Sequence, residues 1–207
     1  MKILNVMQTV FGLYLNLFFL LTPFFVLSTF ITLTDGIDSR LRTKLALRIA
    51  LGATLVTLSI FFGGAIVMNT FGITVDAFRA GSGVLLLLTA VSLVLGKASV
   101  KHESKPEKLL DMAVVPLATP ITAGPATLGT LMVMGTSTEN FNEKLLTASA
   151  IAAACFSIGA MLFVSDRINH LLGRANISIL SKITGLILSA IAIQMIVTGV
   201  KNLWMLS

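Results

Sequence analysis

Charge is scarce in this chain. Asp, Glu, Lys and Arg make up only 12% of its 207 residues, where a soluble domain carries about 25%. Hydrophobic residues reach 56% and the mean hydropathy is +0.95. No single soluble core absorbs that apolar surplus, so it faces lipid. Cysteine is almost missing. Cys155 stands alone, which excludes an intramolecular disulfide and any relay that needs two thiols. Acidic groups are few and peripheral. Asp35, Asp38, Asp76, Glu103, Glu107, Asp111, Glu139, Glu143 and Asp166 all fall in loops or at the ends of apolar stretches, as do His102 and His170. A buried carboxylate relay for protons therefore has no residues to use. An intramembrane hydrolase lacks a nucleophile–base pair or metal ligands at depth. The expectation is a non-enzyme with no metal and no cofactor.

Long apolar stretches are what the chain does have. A hydrocarbon layer of about 30 Å takes about 20 helical residues. Six stretches qualify: Val10–Leu33, Leu45–Phe71, Phe78–Leu95, Met112–Met134, Leu145–Val164 and Ile179–Trp204. The first follows Lys2, in the manner of a signal peptide's basic start. It exceeds an h-region of about 7–15 residues and lacks an A-x-A-like site, so it reads as a retained span. The fold class expected is all-α, a single polytopic transmembrane domain over residues 1–207. Asp35–Lys44, Gly72–Ala77, Lys97–Asp111, Gly135–Lys144 and Ser165–Ser178 read as loops.

Basic residues divide unevenly between the two sides. Arg40, Arg42, Lys44, Arg48, Lys97, Lys101, Lys105, Lys108, Arg167, Arg174 and Lys182 share one side, and Lys2, Arg79, Lys144 and Lys201 the other. The positive-inside rule places the first group in the cytoplasm and both termini outside it. The net charge of +6 and the pI near 9.8 are accounted for by this bias, without nucleic acid as a partner. The lipid bilayer is the partner implied.

Proline is confined to a few places, and two of them lie inside spans. Thr22-Pro23 interrupts the first, and Pro116-Leu-Ala-Thr119-Pro120-Ile-Thr122-Ala123-Gly124-Pro125 interrupts the fourth. Proline removes an amide donor and clashes with the preceding turn. The fourth stretch cannot stay a regular helix, and the first is kinked or broken. Arg79 and Lys182 open the third and sixth spans, and Gly96 and Gly199 close them, seventeen residues later in both. The chain thus reads as two three-span repeats, about 8–97 and about 111–204, joined by a linker at about 97–111. Three is odd, so the second repeat is inverted. Inverted repeats with broken helices are a signature of secondary transporters, with the site where the breaks meet.

The Pro116–Pro125 motif resembles that of the MarC family of bacterial inner-membrane proteins. Phe71-Gly-Ile-Thr-Val-Asp76-Ala-Phe78-Arg79-Ala-Gly81-Ser-Gly83 is similar to the family's turn between spans two and three, and Lys182-Ile-Thr-Gly185-Leu186 with Gln194 and Thr198-Gly199 to its last span. The resemblance covers nearly the whole chain. It implies a six-span permease related to the LysE group of exporters, in a bacterial plasma membrane, for small neutral amino acids such as glycine or alanine. The first span departs from the family pattern Asp-Pro-x-Gly-x-x-Pro, with Thr22, Phe25 and Ser28 in place of the Asp, the Gly and the second Pro.

A zwitterionic substrate needs partners for a carboxylate and an ammonium. Amides at the start of a half-helix attract anions, which nominates Thr122, Ala123 and Gly124. Carbonyls near Ala118–Thr119 and Leu21–Thr22 suit the ammonium. Pro23, Phe25, Pro120, Pro125 and Gln194 complete the candidate substrate site. The hydroxyls of Thr22, Thr119 and Thr122 either assist or bond their own helix. Asp76 and Arg79 form an interfacial pair or a gate. Sodium, a proton at Asp76 or Asp111, or no coupling ion at all fits the residues, and a homo-oligomer is equally compatible. The competing reading is a non-transporting membrane scaffold or stress-related factor of the same fold.

Overall fold

The computed structural model describes residues 2–96, 124–138 and 140–206. Those residues form helices α1 (Lys2–Leu20), α2 (Pro23–Leu33), α3 (Ser39–Phe71), α4 (Val75–Leu95), α5 (Pro125–Ser137), α6 (Phe141–Phe163) and α7 (Ser165–Leu206). The chain is all-helical over the described residues. Five segments there are long and apolar enough to cross a membrane: Val10–Leu33, Ser39–Phe71, Val75–Leu95, Phe141–Phe163 and Ser165–Met205. The expected fourth span, Met112–Met134, is described only from Gly124 onward, where α5 supplies 13 residues, about 20 Å of helix.

Polar residues set the helix ends. Asp38 caps α3 by accepting from the Arg40 amide at 3.1 Å. Thr74 caps α4 through the Ala77 amide at 3.3 Å, and Asn140 caps α6 through the Asn142 amide at 3.3 Å. Each side chain takes up one of the donors a helix start leaves unpaired. Gly72 and Gly96 close α3 and α4 in the left-handed conformation, at φ 64° and 69°, which glycine adopts without strain.

Two boundaries differ from the expectation. The second span begins at Ser39 rather than Leu45, because the Asp38 cap starts the helix in the polar flank. The helix has 33 residues, about 50 Å, so its basic first turns extend past the apolar layer. The segment Ser165–Ser178, read as a loop, is helical with a break at Gly173 (φ 74°, ψ 157°). Its polar count hides an apolar pair. Ile168 and Leu172, one turn apart, pack on the core while Asp166, Arg167 and His170 are exposed, as on an amphipathic surface helix.

The helices pack in a set of neighbouring pairs. α4 runs along α7, α3 lies against α6 and α5, α5 against α4, α1 against α6, and α2 against α7 and α6. Leu20, Leu21, Val26, Leu27 and Phe30, around the α1–α2 junction, are buried at the centre of the core. Lipid tails are as apolar as leucine, so helices in a bilayer associate through close contact and not through burial of oil. The α4–α7 pair achieves this with glycine. A Cβ on Gly83 would stand 3.0 Å from the Ala192 carbonyl and 2.8 Å from the Ile196 side chain. A Cβ on Gly185 would stand 2.8 Å from the Ala90 carbonyl and 2.9 Å from the Val94 side chain. Leu55, Phe62, Leu88, Phe156, Leu186 and Val197 project outward instead, which suits a lipid-facing surface.

Gly83→Leu should destabilise the protein by about 1–3 kcal/mol, the usual cost of overpacking, seen as a lowered melting temperature in detergent. Gly81→Leu is the control. It lies two residues away on an exposed face with open space around it, and should leave the melting temperature where it is.

Candidate functional site

The first membrane segment breaks completely at Thr22. The last turn of α1 tightens, with the Leu21 amide on the Leu17 carbonyl at 3.1 Å and the Thr22 amide on the Phe19 carbonyl at 2.9 Å. Thr22 itself is left-handed, at φ 50° and ψ 55°. A β-branched residue there costs about 1–2 kcal/mol. Pro23 follows at the first position of α2, where its fixed φ suits a helix start and its missing donor is no loss. The first helical bond of α2 runs from the Val26 amide to the Thr22 carbonyl at 3.0 Å. The amides of Phe24 and Phe25 therefore have no carbonyl in their own helix.

α5 begins the same way. Gly124 is its extended N-cap, Pro125 holds the first position, and the first helical bond runs from the Leu128 amide to the Gly124 carbonyl at 2.9 Å. The amides of Ala126 and Thr127 are left without helical partners in turn.

One hydrogen bond joins the end of α1 to the start of α5. The Thr127 hydroxyl donates to the Leu20 carbonyl at 3.0 Å. Leu20 ends α1, so its carbonyl has no acceptor role left in that helix. Both residues are buried, as are Thr22 and Pro23. Several other buried hydroxyls behave differently. Thr57, Thr130, Thr184 and Ser181 each bond a carbonyl of their own helix. Thr130 also reaches the Met195 sulfur on α7 at 3.6 Å. Strain, amides without a helical carbonyl, a carbonyl end and hydroxyls thus meet in one buried place.

Of the residues nominated from the sequence, the fold brings Thr22, Pro23, Phe25, Gly124 and Pro125 to the two helix starts. Phe25 is half-buried and packs on the core. Ala118, Thr119, Pro120, Thr122 and Ala123 lie outside the described residues. Gln194 is an exposed side chain on α7, beside Met195. Sequence reasoning passed over Thr127 and the Leu20 carbonyl. The only available signal was the position of Thr127, two residues after a helix-opening proline. Among the described residues, no group of three or more His, Cys, Asp or Glu is placed to hold a metal ion.

Polar clusters close both ends of the bundle. At the end that includes Gly72, Arg79 pairs with Asp76 at 2.9 Å and donates to the Ser137 hydroxyl at 3.2 Å, while Asn202 donates to Asp76 at 3.0 Å. The pair expected from sequence is present, and it ties α4 to the last residue of α5 and to α7. At the opposite end Arg42 pairs with Asp166 and donates to the Thr34 carbonyl at 2.7 Å, and Arg174 pairs with Asp35 at 2.6 Å. The Arg174 guanidinium, by hydrogen bond and charge, holds the Asp35 carboxyl below the usual carboxylate range.

The family model described as "MarC family integral membrane protein" matches residues 7–204. Similar proteins include a UPF0056 membrane protein of Methanocaldococcus jannaschii, 33% identical over 90% of this chain and 93% of its own length. The UPF0056 membrane protein YhcE of Escherichia coli is 29% identical, over 94% of this chain and 93% of its own. A UPF0056 membrane protein of Pyrococcus abyssi is 30% identical, over 96% and 98%. No solved structure matches the chain.

Thr127→Val keeps the shape of the side chain and removes its donor, leaving the Leu20 carbonyl buried and unpaired. Such a group costs about 1–3 kcal/mol, to be read in thermal unfolding in detergent. Thr127→Ser should retain most of the native stability.

Proposed function

The chain belongs to the MarC family of integral membrane proteins, and from that premise we propose that it is a secondary transporter for a small neutral solute. A neutral amino acid such as glycine or alanine is the favoured substrate. The observation that carries the reading is the meeting of two proline-opened helix starts at a buried hydrogen bond between Thr127 and Leu20. Backbone that leaves the helix at membrane depth is tolerated where it is sealed in protein or lines a polar cavity. Two such places brought together are what a substrate site between repeats requires.

An inverted repeat of three spans is supported by register. Pro23 and Pro125, each first in its half-helix, are 102 residues apart. Gly83 and Gly185 are separated by the same 102 residues, as are the carbonyl partners Ala192 and Ala90 and the side chains Ile196 and Val94 that they meet. The α4–α7 contact is therefore unchanged when the two halves are exchanged. The pairing of α4 with α5 likewise answers that of α7 with α2. This register matches Thr22-Pro23 with Gly124-Pro125, the end of the Pro116–Pro125 motif, and shifts the Gly96–Gly199 correspondence by one residue.

In this reading the first amides of α2 and α5 attract the substrate carboxylate, and carbonyls ending α1 take the ammonium. The two repeats rock about the site to give alternating access. The Arg-rich end lies in the cytoplasm and both termini lie outside, in a plasma membrane. Coupling runs through sodium on backbone carbonyls or a proton at a peripheral carboxylate. One observation favours the alternative of a non-transporting scaffold. Phe25 stands where the family pattern has glycine, and in the 102-residue register it is the counterpart of Thr127.

Proteoliposomes loaded against radiolabelled glycine and alanine should show saturable uptake, abolished by Gly124→Leu at matched reconstitution. Uptake that survives Gly124→Leu would move the site. Absence of uptake under both proton and sodium gradients would turn the assignment toward another solute or the scaffold.

A further inference from the structure

The Arg42 end of the bundle holds a device that neither the family nor the sequence motifs assign. Arg42 lies near the start of α3 and reaches two other elements. Its guanidinium donates to the carbonyl of Thr34, the C-cap of half-helix α2, and pairs with Asp166 at the head of α7. The arginine side chain is only 17% exposed, and its Nε is buried without a partner. A cation at the C-terminal pole of a helix is favourable, and the long, partly buried side chain is committed to this geometry. Arg174 and Asp35 form a second bond at the same end. Both ion pairs cross from the first half of the chain to the second.

The opposite end follows the same scheme with other residues. Arg79 donates to Ser137, the last residue of half-helix α5, and its partner Asp76 accepts from Asn202 on α7. Each half-helix thus ends on an arginine, and each arginine's aspartate network crosses between the halves. For one end to open while the other stays shut, one network must break.

We propose that Arg42 is the latch of the Arg-rich end, holding α2 against the head of α7 so that the break at Thr22 is closed from that side. Arg42 acts as a positioning residue. It touches α2 and not the site, and it controls access through the helix it holds. The inference rests on the permease reading for its purpose, and its test does not depend on transport.

The test is sided access to the break. In a Cys155→Ala background, Thr22→Cys places a thiol at the break, and a membrane-impermeant maleimide is applied to either face of sealed vesicles. Arg42→Gln should raise the labelling rate on the order of tenfold from the face carrying Arg42, with no change from the other face. Asp166→Asn breaks the pair from its exposed partner and should act in the same direction, so the proposal stays testable should Arg42→Gln fail to fold. Arg42→Lys, which keeps the charge, should restore part of the closure. Equal labelling with and without the substitutions, in protein that melts like the parent, would overturn the latch. So would a rise from both faces alike, which marks general loosening. Glycine uptake by the same vesicles reads the permease assignment separately. One-sided exposure without uptake would keep the latch and remove the transporter.

Discussion

Every backbone amide and carbonyl placed in hydrocarbon must find its partner within the protein. The rest of this structure depends on that constraint. It makes the chain helical throughout the described residues, and it dictates where a helix is allowed to stop. α1 stops at membrane depth because the Leu20 carbonyl finds the Thr127 hydroxyl. α2 and α5 start there because proline occupies the position whose donor would be lost anyway. The left-handed Thr22 is held by the packed residues around it, which bury it almost fully.

Burial of the break requires helices close enough to exclude lipid, and small residues supply that closeness. α4 and α7 approach until carbonyl oxygens of one helix lie against glycines of the other. Gly64 on α3 similarly faces the backbone of Met132 on α5. α5 is therefore held on both sides, by α3 and by α4, with its N-terminus directed at the end of α1. Packing thus places the two helix starts, and the polar networks of Arg42 and Arg79 hold the far ends of the same helices. Site and ends are linked through rigid helices only two to four turns long.

Much of this architecture is legible in the residues. Hydropathy located five of the spans, because a hydrocarbon layer imposes one length on every crossing helix. The break at Thr22-Pro23 was legible because proline acts locally, and the Asp76–Arg79 pair because i and i+3 meet on any helix. The helical turn around Ile168 and Leu172 was missed because a short amphipathic segment hides in a polar average. Thr127 was missed for another reason. A threonine in an apolar helix ordinarily bonds its own carbonyl, as Thr57 and Thr130 do, and nothing nearby in the chain distinguishes it.

The one-dimensional pattern was sufficient for class, membrane residence, family and the fracture at Thr22-Pro23, since each follows from composition or from the chemistry of neighbouring residues. Which carbonyl receives Thr127, which glycine faces which backbone, and which aspartate Arg42 reaches were settled only in three dimensions. Those partners lie 107, 109 and 124 residues apart for Thr127 with Leu20, Gly83 with Ala192, and Arg42 with Asp166. No local rule connects residues at such distances. Helix packing does, because once the close-approach positions interlock, every other contact along the pair of helices is determined by their register.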